Sequence, residues 1–267
     1  MNSENYQNIQ LQVEGRVATL SLQKPEVGNT ITDARTVEEL DAALGSLKDV
    51  SVLILTGSGG IFSAGGNIKA MRAKTGMFSG SPSELHEQYR QSVQRVTRLV
   101  TGLEVVTIAA VNGHAIGAGC DLALMCDLRI AATNATFAQA FVNFGIIPGD
   151  GGAWFLARTV APHHAAELVF TGRRISAQEA KEMGLVNEVV ETDQLMTRVT
   201  EVATQIASKP PLALRLSKRL LKRALEMPLS DFLEVSATYQ TLLHQTEDHQ
   251  EALEAFFEKR EGRYSGK

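Results

Sequence analysis

Two glycine-dense segments and two aspartates are the residues of this 267-residue chain whose types and spacing point to chemistry. Gly57-Ser-Gly-Gly-Ile-Phe-Ser-Ala-Gly-Gly66 follows the apolar run 50–56 (VSVLILT), and Asn112-Gly-His-Ala-Ile-Gly-Ala-Gly119 follows 105–111 (VVTIAAV). Each reads as a buried strand, a tight turn and a helix start. Glycine permits φ > 0 and lets a ligand approach bare backbone. The first turn of the following helix leaves N–H groups without intrahelical acceptors, backed by the helix dipole. Two such turns brought together can clamp one oxygen that becomes negative during a reaction. The plainer alternative, a pair of tight strand-to-helix connections, stays open here.

Other phosphate and nucleophile patterns fail on spelling. Asn67 follows Gly65-Gly66, so there is no G-x-x-x-x-G-K-[ST] loop, and Gly117-Ala-Gly-Cys-Asp-Leu122 lacks the last glycine of G-x-G-x-x-G. Neither Ser58 nor Ser63 lies in G-x-S-x-G. Asp121 stands in the first turn of an otherwise apolar helix, between Cys120 and Leu122. It reads either as a dipole-favoured N-terminal acid or as a buried carboxylate with a purpose. Burial raises its pKa and the helix terminus lowers it. Asp150, in Pro148-Gly-Asp-Gly-Gly152, reads first as a helix N-cap. The six histidines are scattered, with His163 and His164 adjacent and His244 and His249 read as five apart on one helix, so no metal site is expected. The basic stretch from Arg215 to Arg223 reads as a solvated helix face.

The elements that must position these residues alternate strand and helix as far as about residue 190, an α/β pattern. A half-buried strand is expected over 17–22, a helix from Thr32-Asp33, and strands at 127–132 and 185–190. A helix is expected over 85–103, and the Gly, Ser and Lys-rich stretch 71–85 reads as mobile surface. Ser176-Ala-Gln-Glu179 has the spelling of a capping box. After Asp193 only helical periodicity remains, which divides the chain into an α/β core, 1–200, and a helical portion, 201–267. Hydrophobic residues make up 44% and charged residues 21%, enough for a packed core. A net charge of −4 argues against a protein that neutralises nucleic-acid phosphates. Two cysteines without C-x-x-C spacing make no disulfide framework, and neither a secretory signal nor a membrane-length apolar run is read. A soluble cytoplasmic protein is the expectation.

At the two turns the sequence resembles the crotonase (enoyl-CoA hydratase/isomerase) superfamily. Phe62-Ser-Ala-Gly-Gly-Asn-Ile-Lys69 is similar to the family's F-x-A-G-x-D-[IL] segment. Ala110-Val-Asn-Gly-His-Ala-Ile-Gly-Ala-Gly-Cys-Asp121 is similar to its [AV]-x-G-x-A-x-G-G-G segment with an acid at the end. The likeness runs on through Cys126-Asp-Leu-Arg-Ile-Ala-Ala132, Phe144-Gly-Ile-Ile-Pro148, Gly172 and Phe256-Phe-Glu-Lys-Arg260, covering about residues 10–262. It implies a spiral of ββα units with C-terminal helices that make trimers, usually stacked as hexamers. It implies an acyl-CoA thioester as substrate, with no separate cofactor and no metal. The family's oxyanion-hole N–H groups fall on Gly66 and Ala118, in turns that also carry Ala64. Lys69 falls where a lysine lies near the CoA phosphates, Val27 in the segment lining the adenine. Phe256 and Lys259 match the C-terminal segment that reaches a neighbouring subunit's CoA.

The resemblance also marks a departure. Hydratases of the family carry one Glu at the position of Asp121 and a second at the position of Phe141, and phenylalanine cannot move a proton. Asp150 lies one residue after a place where several isomerases carry a working aspartate. The resemblance thus implies an enolate-stabilising enzyme in which Asp121 moves a proton near Cα. The reading leans to double-bond migration, with hydration close behind if Asp150 fills the gap. The alternative from another class is an acyl-CoA binder or assembly subunit that has lost its second acid.

Overall fold

The structure, a computed structural model, describes residues 6–267. Strands β1 (Ile9–Glu14) and β2 (Val17–Leu22) form an antiparallel hairpin, and α1 (Ala34–Gly45) leads away from it. The Asp33 side chain caps α1 by accepting from the Thr36 N–H, while Val37, Leu40 and Leu44 face the core. The chain then makes three passes of one pattern: a long strand, a short strand, a helical segment. The first pass is β3 (Val52–Gly57), β4 (Ile61–Ser63) and helices α2 (Ile68–Ala73), α3 (Pro82–Gln91) and α4 (Val93–Gly102). The second is β5 (Val106–Val111), β6 (His114–Ile116) and α5 (Ala118–Leu124). The third is β7 (Leu128–Ala132), β8 (Thr136–Ala138), α6 (Gly152–Thr159) and α7 (Pro162–Thr171). Then follow β9 (Arg174–Ser176), α8 (Ala177–Glu182) and β10 (Glu188–Val190). Helices α9 (Leu195–Ala207), α10 (Pro211–Arg223), α11 (Leu229–His244) and α12 (Glu247–Glu258) complete the chain.

The long strands form one sheet in the order β1-β2-β3-β5-β7-β10, parallel except for the first pair. The short strands form a second sheet, β4-β6-β8-β9. This is the spiral of ββα units that the resemblance implies. All six residues of β3 are buried, as a parallel strand covered on both faces requires. One face packs on the main core. The other packs on α9, whose Leu195, Val199 and Ala203 meet Val52, Ile54, Ile108, Ala110, Ile130 and Ala132. Lys218 of α10 is buried and donates to the Val105 carbonyl (2.7 Å), with Asp127 Oδ2 at 2.6 Å.

Three local expectations are corrected. Residues 71–85 are built of helical turns: α2 reaches Ala73, a 3-10 turn buries Met77, and α3 starts at Pro82. The reason is Ser81-Pro-Ser-Glu84, whose Ser81 and Glu84 form both bonds of a capping box. The helix expected over 85–103 is two helices, broken at Ser92, whose hydroxyl bonds back to the Gln88 carbonyl. At Ser176 only half a capping box forms, because the Glu179 carboxylate turns to Arg173. Among the described residues no helix is long and apolar enough to cross a membrane.

Candidate active site

The two glycine turns meet. The β4 turn is tied down through Ser63, whose hydroxyl donates to the Asn29 carbonyl (2.8 Å) and accepts the Gly65 N–H (3.0 Å). Ala64 N–H donates to Gly28 O, and Ile31 N–H to Gly65 O. A Cβ on Gly65 would stand 2.7 Å from the Ala118 nitrogen, and one on Gly119 would stand 2.0 Å from the Ser63 carbonyl oxygen. Both positions therefore demand glycine, which lets the N-terminus of α5 press against the other turn. Gly117, at φ 55, supplies no side-chain cap to α5. Neither the Ala118 nor the Gly66 N–H has an acceptor among the described residues. Asn67 caps α2, its side chain accepting from Ala70 N–H at 3.1 Å. A cleft of about 600 Å³ opens beside Gly66, lined by Thr32, Asn67, Ala70, Met77, Phe78 and Gln88 among others.

Behind the second turn lie two carboxyls. Asp121 is fully buried on α5, and Asp150 is 3% exposed on the turn before α6. A Cβ on Gly152 would fall 2.0 Å from Asp121 Oδ2, so glycine there lets the Asp121 carboxyl rest on the first turn of α6. Gln139, buried at the end of β8, donates a short hydrogen bond to Asp121 Oδ1. Asp121 Oδ2 and both oxygens of Asp150 receive no such donor. A proton placed between the two carboxyls would satisfy them. Burial pushes Asp121 well above the ordinary carboxylate range; the charge of Asp150 and the hydrogen bond to it push further, and Gln139 pulls back. Burial also raises Asp150, opposed by its bond to Asp121 and the amides of Asp150 and Gly152. Two like charges side by side in so apolar a place resist joint ionisation, and the rise is the greater at Asp121.

Asp150 is not a helix cap: Gly151, at φ 101, takes that position and turns the Asp150 side chain inward. Its turn is covered by Tyr89 of α3, whose hydroxyl is pushed up by burial and by the Asp150 charge. Phe141 lies in a 3-10 turn with its ring 3.7 Å from where a Cβ on Gly117 would stand, at the mouth of the α5 turn. The thiols of Cys120 and Cys126 are buried and pushed up, that of Cys126 to about 12.

The remaining sequence candidates sit on the rim or away from it. Val27 is exposed next to Gly28, which packs against Ala64, and Lys69 is exposed on α2. Phe256 and Lys259 stand at the exposed end of α12, a helix packed mainly on α11. His244 and His249 lie on different helices and meet across the α11–α12 corner at 2.9 Å, but among the described residues no cluster of three metal-binding groups forms. Sequence reasoning missed Gln139; its one signal was a polar residue directly after the apolar Phe137-Ala138.

A family model described as enoyl-CoA hydratase/isomerase matches residues 12–267. The chain is 38% identical to a crotonyl-CoA hydratase of Syntrophomonas wolfei, over 98% of this chain and 99% of that one. It is 37% identical to a short-chain-enoyl-CoA hydratase of Clostridium acetobutylicum, over 95% of each. A crystal structure of an enoyl-CoA hydratase from Bacillus anthracis superposes with a TM-score of 0.91 at 34% identity, covering 98% of this chain and 100% of that one.

Proposed function

The chain belongs to the enoyl-CoA hydratase/isomerase family, and from that premise we propose that it hydrates a 2-enoyl-CoA thioester with Asp121 and Asp150 as its two acids. The observation that carries this reading is the pair of buried carboxyls, Asp121 on α5 and Asp150 on the turn before α6, both pushed up by burial. Hydration needs one group to take a proton from water and another to give a proton to Cα. The ionised member, Asp150, activates the water, whose oxygen adds to Cβ. The electron pair moves onto the thioester oxygen, held by the Gly66 and Ala118 N–H groups. The protonated member, Asp121, then delivers its proton to Cα. Such preorganised N–H donors typically contribute about 10²–10³-fold each.

Val27, Ala64 and Lys69 line the CoA side of this site, and Phe141 lines the acyl side. No cofactor beyond the thioester enters the scheme, and no metal. Helices of the 201–267 portion serve self-association as a trimer or hexamer. The support is that α11 has no buried residue and that Leu229, Leu233, Leu242, Phe256 and Phe257 are exposed. Self-association would bring Phe256 and Lys259 to a neighbour's CoA. A second reading, double-bond migration by the same pair, is favoured by Phe141, which leaves the acyl β-carbon facing a ring instead of a third carboxyl. The test is loss of enoyl absorbance with crotonyl-CoA against its gain with a 3-enoyl-CoA, with deuterium uptake at Cα followed in both. Fast loss with deuterium at Cα of the product supports hydration, gain alone supports migration, and no change in either assay refutes both.

A further inference from the structure

The turn that carries Asp150 is held from outside its own helix. Gln94 Nε2 donates to the Gly149 carbonyl (2.8 Å), and Thr97 Oγ1 donates to the Asp150 carbonyl (2.7 Å). Both side chains come from α4, a helix distant in sequence. Thr97 has a second acceptor, the Val93 carbonyl one turn back, but at 3.2 Å. A hydroxyl has one proton to give, and here the shorter bond goes to Asp150. The Tyr89 ring closes the same turn, 3.2 Å from where a Cβ on Gly149 would stand. The Asp150 carboxyl, by contrast, is met only by Asp121 and by the backbone amides of its own turn, Asp150 and Gly152. Its direction is therefore set by its backbone. A carbonyl fixed at 2.7 Å fixes the peptide plane on which the side chain is mounted.

We propose that Thr97 and Gln94 are positioning residues for the reaction: by holding the Asp150 and Gly149 carbonyls they aim the Asp150 carboxyl at Asp121. This rests on the two-acid reading above. The titratable groups facing Asp150 are Asp121 and Cys120 from α5 and Tyr89 from α3, and no Lys, Arg or His is among them. Among the described residues, only amides of the same turn would then face the carboxyl, and they move with the turn once the clamp is lost. Misplacing a catalytic group by about 1 Å costs up to about 10²-fold in rate.

The test is steady-state hydration of crotonyl-CoA across pH by Thr97→Val, Thr97→Ser, Gln94→Leu and Asp150→Asn, with melting temperatures beside the rates. Thr97→Val keeps the shape and loses the hydroxyl. It should lower kcat about 10–100-fold with KM little changed. The basic limb of its pH profile should move to lower pH, because a loosened, hydrated pair gives up its proton sooner. Thr97→Ser should restore both rate and limb, and Gln94→Leu should show the same shifts more weakly. Wild-type kcat and pH profile in Thr97→Val would overturn the proposal, as would a loss that follows the melting temperature and is not rescued by serine. An Asp150→Asn enzyme as active as wild type would overturn the two-acid reading itself, and the clamp with it.

Discussion

The chain treats buried or bonded carboxylates in two opposite ways. Asp121 and Asp150 are enclosed by the spiral core, with no cation facing them among the described residues, and burial raises both. Asp248 and Glu251, on α12, are instead held by hydrogen-bond donors. Asp248 is equally buried but accepts the Ser265 and Gly266 N–H groups at 2.7 and 2.9 Å. Glu251 takes two bonds from Arg260 and one from the Arg263 N–H, which hold its pKa down at about 2. Donors around a carboxylate tie chain to chain. Burial with few donors favours the protonated form, a pattern that gathers at sites of chemistry.

The comparison breaks most visibly at Asp121. Asp121→Asn should lower turnover by about 10²–10⁴-fold, because the amide keeps the shape but cannot pass a proton. Affinity for an acyl-CoA, measured by titration, should hold. Turnover near wild type would move the chemistry elsewhere. Phe141→Glu sharpens the point: it adds a carboxyl where hydratases of the family carry one. With Asp150 already filling that role, crotonyl-CoA hydration by the folded variant should not rise. A clear rise would mean that Asp150 is idle.

At the other pole, Asp248→Ala leaves two part-buried amides without their charged acceptor. It should cost about 1–3 kcal/mol of stability, read by denaturant unfolding, and leave kcat of the folded enzyme alone. The smallest effect is in pH dependence, where the two sites have opposite signs. Glu251, depressed in the folded chain, contributes stability above the ordinary glutamate range that is lost as pH falls toward about 2. The acid pair is raised in the folded chain, so its contribution is fullest below the ordinary aspartate range. That contribution is lost as pH rises through the raised values. Unfolding of Glu251→Gln should therefore show a flatter acid limb, and unfolding of the doubly amidated Asp121, Asp150 variant a flatter limb above the ordinary aspartate range.

How much of this was legible depended on whether a residue's role is local. The glycine turns were readable because their demand is on backbone: Gly65, Gly117 and Gly119 mark where chains touch. Asp121 was readable as a lone acid in an apolar turn. Asp150 was ambiguous, since an aspartate before a helix caps it as readily as it turns inward, and only Gly151 taking the cap decides. Gln139, Gln94 and Thr97 were illegible because their partners lie 18, 55 and 53 residues away. The corner between α11 and α12 was likewise missed, and with it the meeting of His244 and His249.

Helix α5 carries its own reporters. Cys120 and Cys126 sit beside Asp121 and just past the last turn, sealed from solvent and reluctant to ionise. A thiol-modifying reagent attacks the thiolate, so neither should be labelled while this segment is seated. The rate at which label appears is then a clock for how often the segment that carries the Ala118 N–H lifts away. A bound acyl-CoA that bridges the two turns should slow that clock, giving a readout of occupancy that needs no turnover.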